Sequence, residues 1–176
     1  MLSSLSRLAA ATALAAVLLA IVPNVPAVAQ QTDHVVGKET GLPIPRYVSI
    51  RADEANLRVG PGGLFPIRWR LLRRNMPARI EDEEGQWREI VLHDGERGWL
   101  YNPLLSGARY LYVTADQAPL ARKPEAGAQV AAYVQKGVVL RATACEPGWC
   151  EVRKGEIRGW IARDAVWGVL DDERFD

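Results

Sequence analysis

From residue 47 onward, apolar and polar positions alternate in short bursts separated by glycine, proline, asparagine or aspartate. No stretch carries its apolar residues at helical spacing, so the pattern predicts short β-strands throughout. In "QWREIVL", Arg88, Ile90 and Leu92 share one face and Trp87, Glu89 and Val91 the other. In "WCEV", Cys150 and Val152 share a face opposite Trp149 and Glu151. Matching the apolar sets predicts Ile90 and Val152 in the core and the indoles of Trp87 and Trp149 outside. The same alternation in "GWLY" puts Leu100 inside, with Trp99 and Tyr101 facing away, and its counterpart Ile161 is also expected inside.

The strands recur in the same order. "GERGWLYNPLL" returns as "GEIRGWIARDAV", and with Leu57 set against Leu120, "EEGQWREI" faces "CEPGWCEV" and "RRNMPARI" faces "QKGVVLRA". One small β unit is written twice, over residues 47–107 and 108–170. A unit of that size is marginal alone, so the copies are expected to pack together or to need other support. Register adds a test. Ile90 and Leu100 differ by an even number of positions and Val152 and Ile161 by an odd one. The first copy should therefore have a three-residue loop around Asp94-Gly95-Glu96, and the second a loop of even length.

The first 29 residues are different. A single charge at Arg7, an uncharged Ala/Leu/Val run to Val22, two prolines and Ala27-Val28-Ala29 before Gln30 read as a cleaved signal peptide rather than a retained anchor. Its removal takes one of the 22 basic residues and none of the 21 acidic ones, leaving the remainder formally neutral. That excludes broad electrostatic capture of nucleic acid or of anionic membrane. Residues 30–46, which contain His34, read as a linker, and 171–176 as an acidic tail.

The phrases "NLRVGPGGLFPIRW", "GQWREI", "GWLYNPLLSG", "CEPGWCEV" and "GWIARDAVWG" together resemble a tandem pair of exported bacterial SH3-like (SH3b) domains. The resemblance implies an all-β fold of two small barrels, without cofactor or catalytic activity, of the kind often appended to cell-wall hydrolases to hold peptidoglycan or its peptide stems. It places the ligand groove at Trp87, Tyr101 and Leu104; in the second copy the same positions are Trp149, Ala162 and Ala165, so binding is expected in the first. The acidic, tyrosine-containing loop of eukaryotic relatives is missing.

The remaining chemistry narrows this further. Cys145 and Cys150 flank the Pro-Gly turn of "EPGW", which in an exported protein reads as a structural disulfide across a hairpin. Two histidines, His34 and His93, are too few and too scattered for a catalytic metal. Glu81 to Glu84 precede a turn and are expected to be solvated; the arginines of "RWRLLRR" are expected to be solvated and partly paired with them. Trp69 and Trp167 are expected in the core or between the copies, and Trp87, Trp99 and Tyr101 on an exposed aromatic strip. The expected protein is a non-enzymatic periplasmic or secreted binding module whose partner is a peptide or peptidoglycan component. The alternative is a structural adaptor meeting an envelope protein through the surface between the copies.

Overall fold

The computed structural model describes residues 35–176; the signal-peptide reading of residues 1–29 lies outside them. Two seven-stranded antiparallel sheets account for the core. The first copy contributes β3 (Arg46–Ile50), β4 (Ala55–Arg58), β5 (Ile67–Leu71), β6 (Pro77–Glu84), β7 (Trp87–Val91), β8 (Arg97–Tyr101) and β9 (Leu105–Ser106), after a small hairpin of β1 (Val35–Val36) and β2 (Pro43–Ile44). The second contributes β10 (Tyr110–Val113), β11 (Gln117–Ala121), β12 (Val130–Gln135), β13 (Val139–Glu146), β14 (Trp149–Lys154), β15 (Ile157–Ala162) and β16 (Val166–Trp167). The spatial orders are β5-β4-β8-β7-β6-β3-β9 and β12-β11-β15-β14-β13-β10-β16, the same topology twice. One turn of 3-10 helix precedes the last strand of each, at Asn102–Leu104 and Arg163–Ala165.

The inward set is the one that alternation predicts. Ile90, Leu100, Val152 and Ile161 are all fully buried, as are the aligned Leu57 and Leu120. The repeated Gly-Trp phrase has a steric origin. A Cβ on Gly98 would sit 2.7 Å from the Arg58 carbonyl oxygen, and one on Gly159 would sit 3.0 Å from that of Ala121. Each glycine lets β8 or β15 close against the strand it crosses, and the tryptophan that follows lies on the other face.

Turn lengths also obey the parity argument. Leu92 and Glu96 close a three-residue loop of His93, Asp94 and Gly95, with Gly95 at φ 87°; the loop begins one residue before the expected Asp94-Gly95-Glu96. In the second copy Lys154 pairs with Ile157 around Gly155-Glu156, a loop of two. Gly155 has φ 57°, the positive φ that a type II′ turn requires at its first position.

Other expectations are corrected. The stretch read as a linker contains the β1–β2 hairpin, and the run read as solvated acids forms the second half of β6, with Glu83 wholly buried. A bulge between Ile80 and Asp82 shifts the inward parity onto Glu83. Its carboxylate accepts hydrogen bonds from the Glu39 amide (3.0 Å), the Thr40 amide (2.9 Å), Thr40 Oγ1 (2.7 Å) and Arg46 Nη2 (2.7 Å). Arg88 Nε stands 3.4 Å away, directly across the ladder. Burial opposes the charge of Glu83, but the Thr40, Arg46 and Glu39 donors outweigh it and hold the pKa down to about 2. Gly37 packs against this carboxylate, since a Cβ there would fall 2.6 Å from it.

In the second copy the positions of Glu83 and Arg88 are taken by Cys145 and Cys150, which form the expected disulfide across β13 and β14 with Cα atoms 4.1 Å apart. The Cys145 amide and carbonyl turn the other way, to Phe175. The acidic tail is thus pinned to the barrel by Phe175, and Glu173 pairs with Arg109.

The copies meet through aromatic contacts. Tyr47 and Trp167 pack edge to face at 4.9 Å, and His93 stacks on Tyr112 at 3.7 Å. The Arg109 guanidinium lies over the rings of Tyr47 and Phe175. Trp167 therefore occupies the expected place between the copies. Trp69 does not: it is 51% exposed, because the β4–β5 hairpin projects beyond the barrel, and its indole donates to Glu96 at 2.9 Å.

Candidate functional site

On the outer face of the first sheet Trp87 and Tyr101 stand directly opposite each other on β7 and β8, their rings 5.5 Å apart and tilted by 51°. Tyr101 is 37% exposed and donates its hydroxyl to Gln86 Oε1 at 2.7 Å, which fixes the ring. Leu104 follows on the 3-10 turn. Together with Glu54, Ala55, Asn56 and Arg58 these residues line an open groove of about 310 Å³.

Trp87, Tyr101 and Leu104 therefore share one concavity. Trp99 shares their face of the sheet but does not line the groove; it sits two pairs further along, opposite Glu89 and Arg58. In the second copy Trp149 faces Ala162, so half of the equivalent platform is missing.

Sequence reasoning missed the β4 wall of the groove. The phrase "NLRVGPGGLFPIRW" served only to carry the resemblance, yet Asn56 and Arg58, at alternate positions on β4, both line the groove. Asn56 lines the groove, and its Oδ1 is buried without a hydrogen-bond partner among the described residues. Glu54 is engaged by Arg70, and Arg58 donates to the Phe65 carbonyl at 2.6 Å. Arg70 and Arg74 pair with Glu54 and Asp53 rather than with Glu81 to Glu84, because the β4–β5 hairpin places those acids alongside them, and Arg68 donates to the Arg97 carbonyl at 3.2 Å.

An aromatic platform with an apolar rim and a few polar groups can hold a chain-like ligand through stacking and amide hydrogen bonds. Among the described residues no group of three or more His, Cys, Asp or Glu side chains is placed to hold a metal, and no helix is long and apolar enough to cross a membrane.

Two seven-stranded barrels of identical topology, one with an aromatic groove, define the class: a tandem SH3-like protein. The bacterial SH3 domain pattern matches residues 51–107 and again 114–168. The chain belongs to the bacterial SH3 domain family, whose members are binding modules. No curated protein matches it. Among solved structures it is similar to NlpC2 from Trichomonas vaginalis at 12% identity and TM-score 0.34, over 70% of this chain and 48% of that one. It is also similar to an NlpC/P60 family protein from Bacillus cereus at 14% identity and TM-score 0.32, over 69% and 55%. The chain spans about half the length of these proteins.

Proposed function

We propose that this chain is a non-enzymatic binding module of the periplasm or cell envelope, which docks a peptide or peptidoglycan component in the groove of Trp87, Tyr101 and Leu104, with Trp99 extending the aromatic strip. One observation carries the reading: the copies share a scaffold, but only the first keeps the facing aromatic pair, beside an unsatisfied acceptor on Asn56. Residues retained in one copy and truncated in the other serve something besides the fold.

The test is co-sedimentation of the protein with purified sacculi. Tyr101→Ala and Trp87→Ala are each expected to lower the bound fraction by about tenfold, the scale of a lost aromatic contact. Because Tyr101 is exposed, its variant separates binding from folding. Sedimentation that ignores both substitutions overturns the assignment.

A second reading, an adaptor that meets an envelope protein, is favoured by a different surface from the one expected. The surface between the copies is taken up by Tyr47, Trp167, His93 and Tyr112, whereas Leu64, Phe65, Ile67 and Trp69 on the β4–β5 hairpin are exposed. Failure to sediment, with capture of an envelope protein that depends on Trp69, supports it.

A further inference from the structure

Between the copies lies a second concavity of about 370 Å³, lined chiefly by Asn75 of the first copy and by Tyr110, Arg141, Arg153 and Lys154 of the second. It is separate from the aromatic groove and from every residue assigned to it.

Its floor is a cross-strand row. Tyr110 stands opposite Arg141, and Arg141 stands opposite Arg153. Like charges directly opposed on an antiparallel pair destabilise it. The same ladder shows the usual remedy one strand further on, where Arg158, opposite Arg153, is neutralised by Glu151 at 2.7 Å. Arg141 and Arg153 have no such partner: among the described residues neither has a carboxylate within ion-pair distance, and no acid lines the cleft.

Lys154 adds a third charge at the rim, its ammonium 3.4 Å from the Val139 carbonyl. Composition does not force this concentration, since the chain carries 22 basic and 21 acidic residues. The first copy closes the cleft with Asn75, held at φ 65° where the second copy has Gly137, its amide bonded to the Ile50 carbonyl at 2.7 Å.

We infer that this cleft binds the phosphate group of a phosphorylated ligand. A monocarboxylate offsets one of the three cations that line the cleft. A phosphate monoester brings about 1.5 to 2 negative charges and three acceptor oxygens, which suit two guanidinium forks and an ammonium. The bound phosphate then supplies the counter-charge that the sheet itself lacks.

The experiment is an NMR titration of the folded protein with inorganic phosphate, against sodium chloride at matched ionic strength. Saturable shifts of the Asn75, Tyr110 and Gly155 amides in phosphate, absent in chloride, are expected. Arg153→Gln is expected to weaken phosphate binding at least tenfold while leaving the free protein's Tm equal or higher, because it removes a like-charge opposition. Arg158→Gln, outside the cleft, should keep the phosphate response.

A response identical in chloride, or one unchanged by Arg153→Gln, overturns the inference. A third arm distinguishes sources of the phosphate. Arg153-dependent sedimentation with vesicles containing phosphatidic acid, whose headgroup is a phosphate monoester, assigns a lipid headgroup, and phosphate binding without vesicle binding assigns a soluble phosphorylated ligand. Because Trp87 and Tyr101 play no part, failure here leaves the groove untouched.

Discussion

Replacing Glu83 by glutamine keeps the side chain's size and removes its charge. The native carboxylate has no exposed side-chain surface, and its pKa is about 2 against an ordinary 4.5. At about 1.4 kcal/mol per unit, that difference represents roughly 3 kcal/mol of stability at neutral pH. Since the folded pKa is the lower one, this contribution is complete above pH 4.5 and disappears as pH falls toward 2. In Glu83→Gln the Arg88 guanidinium, with a side chain only 4% exposed, is left without its counter-charge. Breaking such a buried pair from one side costs on the order of 3–5 kcal/mol.

Urea unfolding followed across pH 7 to 2 should show the variant about 3 kcal/mol less stable at pH 7, with the two curves converging as the wild type protonates. Hydrogen exchange at the Glu39 and Thr40 amides should accelerate in the variant, since both donate to Glu83. Parallel pH curves, or equal stability at pH 7, would refute the reasoning.

Gly98→Ala should destabilise by roughly 2 kcal/mol or more in thermal melts, and Gly159→Ala by less, because the added methyl meets a backbone oxygen at 2.7 Å in the first and 3.0 Å in the second. Reduction of Cys145–Cys150 should cost about 2 kcal/mol by the chain-entropy relation, read as a fall in Tm under dithiothreitol. Tyr47→Ala removes the edge-to-face contact with Trp167, and calorimetry should then show two unfolding transitions where the wild type shows one.

The barrels were legible because a half-buried strand records its two faces at period two, and because a duplicated phrase gives every inward residue a second witness. Ile90 and Val152 confirm each other, as do Leu100 and Ile161. Parity further predicted that the two turns differ in length. Glu83 was missed because a run of four acids hides its own alternation and a bulge resets the parity inside it. The signal was nonetheless present, since "EEGQWREI" against "CEPGWCEV" sets Glu83 on Cys145 and Arg88 on Cys150.

Trp69 was misplaced because its hairpin leaves the barrel, and pairing in register does not reveal how far a ribbon projects. The aromatic half of the groove could be read from the strand pattern, whereas Asn56 and Arg58 enter it only through the bend of the sheet.

Sibling barrels that fasten the same hairpin by different means answer to different solvents. Protons unfasten the first hairpin through Glu83, while the disulfide that clamps its counterpart does not titrate; thiols unfasten the second and spare the first. Acid should release the amino-terminal hairpin, and reductant should loosen the strand that holds the carboxy-terminal tail. Each clamp can be undone while the other holds.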